Sequence, residues 1–488
     1  KRPWDLLIIG GGATGLGVAV DASSRGYRVL LVEQHDFAKA TSSRSTKLVH
    51  GGVRYLQQGD VSMVVEALHE RGRLWRNAPH LVKDMRFIIG NYRWWERPFY
   101  TIGLCCYDLL AGRLGLGRSL PLSKKQTLKE LPGLLHDHLR GGVVYHDGQF
   151  DDSRMAITLM QSAHDHGAIC INYMKVTSLI KNDSGKICGA ALEDTLEGGT
   201  YEVNVKGVVN ATGVYVDDIM QMDKPESRKK VRPSQGVHIV VDAAFLGGNS
   251  ALMIPKTRDG RVLFGVPWHG KAVLGTTDTP LNENSLEPKP LDEEIDFILD
   301  QAGQYLTRKP KRSDVLSVFA GLRPLAAPTH SDSKKTKEIS RNHKIYVSDS
   351  GMLTITGGKW TTYRQMAEEA VNKVAALIGL EPRACVTRKM QLHGYWEEVD
   401  RSVWDYVYGS DADQIAALIE NDASLGELLH IGYTFRVAHV IWAVREEMAQ
   451  TVEDVLARRV RALFMDARAA MEMAPRVAAI MAREKIIF

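Results

Sequence analysis

Asp5-Leu6-Leu7-Ile8-Ile9-Gly10-Gly11-Gly12-Ala13-Thr14-Gly15 opens the stretch that decides the fold, and it continues to Glu33. Asp5–Ile9 is a short apolar run of the kind that forms a fully buried parallel strand. Gly10, Gly12 and Gly15 follow in G-x-G-x-x-G spacing. A helix of small residues then runs to a stop at Gly26, and a second apolar run, Val29–Val32, ends on Glu33. This is the order of a dinucleotide-binding βαβ unit, with an acid about 20 positions past the glycines. The first glycine permits the turn, the second admits a pyrophosphate to the backbone, and the third lets helix pack on strand. The helix N-terminus offers N–H groups and a positive dipole end to the phosphates. Glu33 is placed to accept a hydrogen bond from a ribose hydroxyl, and its carboxylate argues against a 2′-phosphate.

Composition sets the outer bounds. A chain of 488 residues, 44% hydrophobic and 25% charged, suits a globular protein of two or three domains. A net charge of +4 is too mild to argue for nucleic acid. Cys105, Cys106, Cys170, Cys188 and Cys385 form no C-x-x-C pair and no metal spacing, so they read as reduced thiols of a cytosolic compartment. With the βαβ unit starting almost at once, no signal peptide is expected, and no apolar run reaches the ~20 residues that span a bilayer.

Along the chain, Thr41–Lys47 is rich in hydroxyls, suited to a pyrophosphate or to a helix N-cap. His50 and Arg54 flank the pair Gly51-Gly52, which lets backbone approach a flat ligand. Residues 61–76 have the apolar spacing of an amphipathic helix. Arg93-Trp94-Trp95-Glu96-Arg97-Pro98 and the greasy run Phe99–Tyr107 fit either a membrane interface or a core helix with a Trp-rich edge. A helix is expected over 153–166, then three strands, Cys170–Ile180, Lys186–Glu193 and Tyr201–Asn210, the last ending in Asn210-Ala211-Thr212-Gly213. Residues 231–280 read as β-rich, a separate sheet over the nucleotide fold. Gly357-Gly358-Lys359-Trp360-Thr361 opens a further helix. From Gln391 the pattern turns helical, with Thr451 and Asp454 in capping-box spacing.

Two βα turns and a late Gly-Gly turn together look like an α/β FAD-binding fold of the glutathione-reductase type. Ser45-Thr46-Lys47-Leu48-Val49-His50-Gly51-Gly52-Val53-Arg54-Tyr55-Leu56 closely resembles the active-site segment of FAD-dependent glycerol-3-phosphate dehydrogenases. Matching pieces recur at Asn210–Gly213, Gly275-Thr276-Thr277-Asp278, Gly321-Leu322-Arg323-Pro324-Leu325, Gly357–Arg364 and Ala443–Ala449. Trp360 stands where other members often have Leu, and no calcium-binding EF-hand tail is seen, which favours the bacterial form.

The resemblance implies a discontinuous FAD-binding domain (1–80, 145–230, 345–385). An α+β substrate cap (81–144, 231–344) would carry a membrane-facing segment at 93–118, and an all-α domain would fill 391–488. It implies that FAD is held by Gly10, Gly12, Ala13, Thr14, Gly15, Glu33, Gln34, Thr41, Ser42, Ser45, Lys47, Leu48, His50, Gly51, Gly52, Val176, Ala211, Thr212, Gly213, Gly275, Arg323, Gly358, Lys359, Trp360 and Thr361. The implied reaction is oxidation of sn-glycerol 3-phosphate to dihydroxyacetone phosphate, with electrons passing to FAD and on to membrane quinone. Arg54, Arg323, Arg341 and Lys359 match the family's cationic positions, suited to a phosphate dianion. Tyr55 would help hold substrate. His50 is the first choice for the base that takes the C2 hydroxyl proton, and His238 the second.

The implied location is the cytoplasm, peripheral to the cytoplasmic face of the inner membrane, with a homodimer left open. Competing readings are an oxygen-using glycerol-3-phosphate oxidase, a dehydrogenase of a related polyol phosphate, an amino-acid oxidase of the same fold, and a non-catalytic or RNA-acting flavoprotein.

Overall fold

The strand Trp4–Ile9 pairs in parallel with Val29–Val32 on one side and with Thr200–Asn210 on the other. The computed structural model describes residues 2–57, 59–326 and 343–487. In the first sheet the order is Lys344–Val347, Leu353–Thr356, Thr200–Asn210, Trp4–Ile9, Val29–Val32, Ile169–Ile171. Leu6, Leu7 and Ile8 are fully buried, as a strand covered on both faces requires. Helices Ala13–Ser24, Asp152–Asp165 and Tyr363–Leu377 pack together over one face. The antiparallel strands Met174–Lys181 and Ile187–Asp194 extend from the first half of Thr200–Asn210.

The expected strand Cys170–Ile180 is two strands. Ile169–Ile171 belongs to the parallel sheet, and Met174–Lys181 to the antiparallel ribbon. Between them Tyr173 adopts φ 57°, and Asn172 donates to Asp36 Oδ1 and to the carbonyl of Met448. A tertiary anchor, with no local turn residue beyond Asn172, breaks the apolar run there.

Among the described residues the second sheet has ten strands, centred on Val231–Asp242, Lys271–Gly275, Leu263–Trp268, Ala251–Ile254, Lys83–Asn91 and Gly141–Gln149. Gly141–Gln149 pairs along its whole length with Lys83–Asn91, so one continuous strand crosses the boundary set at 144/145 from sequence. The greasy segment is the helix Glu96–Ala111. It buries only Leu104, Tyr107 and Ala111, while Trp94, Phe99, Ile102 and Leu109 are 77%, 55%, 66% and 80% exposed.

The C-terminal region is less helical at its start than its composition suggests. Residues 391–403 form no regular helix, Trp404–Asp411 is a run of tight turns, and α-helix begins at Ala412. Gly394 and Gly409 explain this: both have left-handed φ, and a Cβ on Gly409 would lie 1.7 Å from the Gly394 carbonyl oxygen. Thr451 and Asp454 do exchange capping hydrogen bonds, but the turn they open, Asp454–Arg459, is wound as a π-helix.

That π-turn faces the nucleotide fold. Asp36, fully buried just after the second strand, accepts from Arg458 Nε at 2.5 Å and from Arg459 Nη1 and Nη2 at 2.8 and 3.0 Å. Burial pushes the Asp36 carboxyl up, but Arg459 and Arg458 outweigh it and hold it at about 2, below its ordinary 3.8. A depressed carboxylate contributes stability that is complete above its unfolded value and is lost as pH falls through the folded one. Wild type should therefore lose stability between about pH 4 and pH 2 through this group. Asp36→Asn should start ~1–3 kcal/mol lower at neutral pH, because Arg458 keeps Glu453 and Asp454 and Arg459 keeps Glu447, and lose less across that window. Thermal unfolding as a function of pH checks both.

Candidate active site

One cavity of about 650 Å³ runs between the two sheets, within the range of small-molecule and cofactor sites. Its first end is built by the βαβ unit. Gly12, the N-cap of the helix Ala13–Ser24, lines it together with Ala13 and Thr14. Ser42 caps this helix from a distance, its Oγ accepting from Ala13 N at 2.9 Å, and Thr41 donates to the Leu322 carbonyl. Glu33 lies in the wall beside Gln34, and its two oxygens accept from Gly11 N at 2.7 Å and His35 N at 3.0 Å. Burial raises its pKa against those two amides. Each oxygen keeps a second lone pair for a further donor.

The second turn, Ala211-Thr212-Gly213, closes against the first. Gly10 sits at φ 110°, and a Cβ there would meet the Ala211 carbonyl oxygen at 2.8 Å. Val176 lines the same end from the antiparallel ribbon, along with Met174 and Lys175.

At the far end Ser45, Leu48, His50, His238, Arg323, Gly358, Lys359, Trp360 and Thr361 all line the cavity. Trp360 Nε1 donates to the Ser42 carbonyl at 2.8 Å, and Thr361 Oγ1 accepts from His50 N at 3.1 Å. The late Gly-Gly turn is thereby tied to the hydroxyl-rich loop and the active-site segment. Arg323 donates to Thr276 Oγ1 and the Thr277 carbonyl, both at 3.0 Å, and approaches Asp278 at 3.5 Å. The motifs at 275–278 and 321–325 are thus one unit. Glu294, buried behind it, accepts from Thr277 and Thr279 and holds that loop. Lys359 Nζ lies 4.0 Å from the centre of the Tyr55 ring.

His238 is buried and stacked on Phe319 at 4.9 Å, with Nε2 2.9 Å from Thr46 Oγ1. Burial, followed by the charges of Lys47 and Arg323, holds its pKa well below 6.5, so the ring is neutral. Among the described residues its buried Nδ1 has no hydrogen-bond partner.

Six expected contacts lie behind the wall. Gly15 packs on the first strand, where a Cβ would sit 1.8 Å from the Gly10 oxygen. Gly51 is pressed against Leu68 and Tyr107, and its N–H meets Asp147. Gly52 and Tyr55 back Lys359. Gly275 is a seat for the His238 ring, 2.4 Å from where its Cβ would be. Lys47 requires a correction: its side chain turns away from the cavity, fully buried, onto Asp152 at 2.7 Å. Arg341 and the side chain of Arg54 lie outside the described residues. Arg44 and Thr46 line the cavity from inside the stretch Thr41–Lys47 without having been singled out, and Tyr215 and Leu286 line it without a motif of their own.

Residues 5–364 match the family of FAD dependent oxidoreductases, and 352–486 match the C-terminal domain of alpha-glycerophosphate oxidase. Over 512 residues the chain is 41% identical to a probable mitochondrial glycerol-3-phosphate dehydrogenase of Caenorhabditis elegans, covering 99% of this chain and 70% of that one. The mitochondrial glycerol-3-phosphate dehydrogenase of Rattus norvegicus is also 41% identical, over 515 residues and with the same coverage. The chain belongs to the FAD-dependent glycerol-3-phosphate dehydrogenase family. A glycerol-3-phosphate dehydrogenase from Bacillus halodurans, solved with FAD, superposes with a TM-score of 0.80 at 32% identity, over 99% of this chain and 91% of that one.

FAD is the cofactor of this family, and the cavity suits it chemically. A capped helix N-terminus for phosphates, an acid at the ribose position and an unmatched buried imidazole nitrogen lie along one continuous channel. Gly15 gives the sharpest test of the first end. Gly15→Ala pushes helix off strand, and the purified variant should carry less than about a tenth of the wild-type bound flavin, read from its visible absorbance.

Proposed function

We propose that this chain oxidises sn-glycerol 3-phosphate to dihydroxyacetone phosphate and passes the electrons through FAD to membrane quinone. The observation that carries the reading is the pairing, at one end of the cavity, of two cations with two imidazoles: Arg323 and Lys359 beside His50 and His238. A phosphate dianion needs several cationic donors, and a secondary alcohol needs a base for its hydroxyl proton. An amino-acid oxidase would need one arginine for a carboxylate and no such set. Bound FAD supplies the hydride acceptor for C2.

The residues divide the remaining work. Arg323, its two terminal nitrogens held by Gln235, Thr276, Thr277 and Asp278, brings a fixed positive charge to the phosphate. Lys359 adds a second charge, and the Tyr55 ring beneath it restricts where the ammonium can go. Arg54 and Arg341 are further candidates for the phosphate, by family position. His50, bridged to Thr361 through its backbone, is the proposed base. His238 is neutral and fixed through Thr46, and it takes the role if His50 does not hold it.

Anaerobic stopped-flow tests the reading: glycerol 3-phosphate should bleach the flavin, and glycine or D-amino acids should not. His50→Asn should slow that bleaching by about 10²–10⁴-fold at neutral pH. Arg323→Ala should weaken apparent substrate binding by about 10–100-fold, the worth of a charged hydrogen bond. A near-normal His50→Asn rate would move the base to His238.

The quinone acceptor and a peripheral site on the cytoplasmic face of the inner membrane rest on the helix Glu96–Ala111. Its outward face, Phe99, Ile102 and Leu109, continues into Trp94 and is bracketed by Arg93, Arg97 and Arg113. Among the described residues no helix is long and apolar enough to cross a membrane, so contact would be lateral. Changing Trp94, Phe99, Ile102 and Leu109 to Ser should abolish co-sedimentation with anionic vesicles. Equal binding by both proteins would remove the membrane part of the proposal.

A further inference from the structure

We propose that Arg461, in the C-terminal domain, is a positioning residue for flavin reduction: it sets the placement of the segment Ser43–His50 behind the cavity wall. Ser45, Thr46, Leu48 and His50 face the cavity, while Lys47 turns back into the protein. Behind the wall a single carboxylate organises the segment. Asp152 Oδ2 accepts from Ser45 N at 2.9 Å, Ser45 Oγ at 2.7 Å and Lys47 Nζ at 2.7 Å. Asp152 Oδ1 accepts from Lys47 at 2.9 Å and from Arg461 Nη2 at 2.8 Å. The same Nη2 reaches the Ser43 carbonyl at 3.2 Å, Nη1 the Ala457 carbonyl at 2.6 Å, and Nε lies 3.2 Å from Asp151. One planar fork therefore ties the C-terminal domain to both the loop and the carboxylate that holds the loop.

A second route leads from the same turn. Phe464 lies under the Arg461 guanidinium at 4.7 Å and meets Phe319 edge-on at 5.0 Å, and Phe319 is the ring on which His238 is stacked. Thr46, on the first route, holds the other side of His238. The placement of one imidazole and of the loop bearing the other is thus set jointly by the turn at 461–464. Lys47 and Arg461 also share a backbone signature, with φ of 64° and 65°. Side chains rarely adopt that region, and such residues persist where the surroundings over-determine them. Two of them meet on Asp152.

A residue that only neutralised buried carboxylates would affect stability and leave the flavin's surroundings alone; one that sets the loop would change both. The test uses FAD-loaded, full-length wild type, Arg461→Lys, Arg461→Met, and the control Arg476→Ala, which breaks the ion pair with Glu427 on the surface of the same domain. Melting temperature, visible circular dichroism of the bound flavin and anaerobic flavin reduction are read on each. Arg461→Lys should fold and keep FAD, with an altered flavin dichroism band, reduction slowed about 10-fold and KM within about 3-fold of wild type. Arg461→Met should slow reduction by about 100-fold, the scale of a misplacement near 1 Å. Arg476→Ala should match wild type in all three. A lowered melting temperature with wild-type dichroism and rate in Arg461→Lys would overturn the proposal, and this variant decides alone if Arg461→Met does not fold. The inference rests on the substrate proposed above. If wild type is not bleached by glycerol 3-phosphate, that reading fails, while the dichroism of Arg461→Lys still decides the placement.

Discussion

A carboxylate that water cannot reach must find a cation or stay protonated, and this constraint joins the two ends of the chain. Asp36, Asp151 and Asp152 are all buried in the nucleotide-binding half, and their arginine partners lie within four residues of one another, at Arg458, Arg459 and Arg461. In a medium of low dielectric each such pairing is strong, and breaking one side of it is far costlier than never having built it. The C-terminal domain therefore does more than cover a hydrophobic face. It supplies charge to a fold that contains too little of its own at that place.

The same logic of backing and facing layers runs through the site. Turns approach one another only where Gly10 and Gly15 leave room. The helix end that would face the phosphates of bound FAD is capped by Ser42, from a loop that is itself tied by Trp360 to the late Gly-Gly turn. Arg323 is aimed by a threonine-rich loop, and that loop is held by Glu294. Arg323, Trp360 and His238 each have a partner that fixes their direction, which is what a precise site requires.

What could be read from sequence was whatever is encoded in near neighbours. The spacing from Gly10 to Glu33 is local, and it led directly to the parallel sheet and the capped helix. The run from Ser45 to Leu56 is local too, and its resemblance to one family pointed to the cavity's far end. Side-chain direction is another matter. Lys47 sits among hydroxyls that face the cavity, and nothing nearby marks it as turned inward, because its partner Asp152 is 105 residues away. Likewise Leu104 and Ile102 are equally apolar, and only the helix's packing puts the first inside and the second out. The break at Asn172-Tyr173 was hidden for the same reason, since its anchors are Asp36 and Met448. Arg461 carries no motif, and its importance is visible only once Ser43, Asp152 and Phe464 surround it.

The order of strands in the first sheet has a consequence for biosynthesis. Asn210 and Thr354 hold each other across 144 residues, and the strand pair they close borders Trp4–Ile9, which precedes both strands in the chain. Until that partner arrives, Thr200–Asn210 presents an unpaired edge in its second half, and the aspartates at 36, 151 and 152 have no arginines. Pairings of such long range form late and slowly, and exposed strand edges invite contact with other chains meanwhile. Among the described residues the first sheet therefore waits, with six of its eight strands made, for Lys344–Val347 and Leu353–Thr356 to close its open edge.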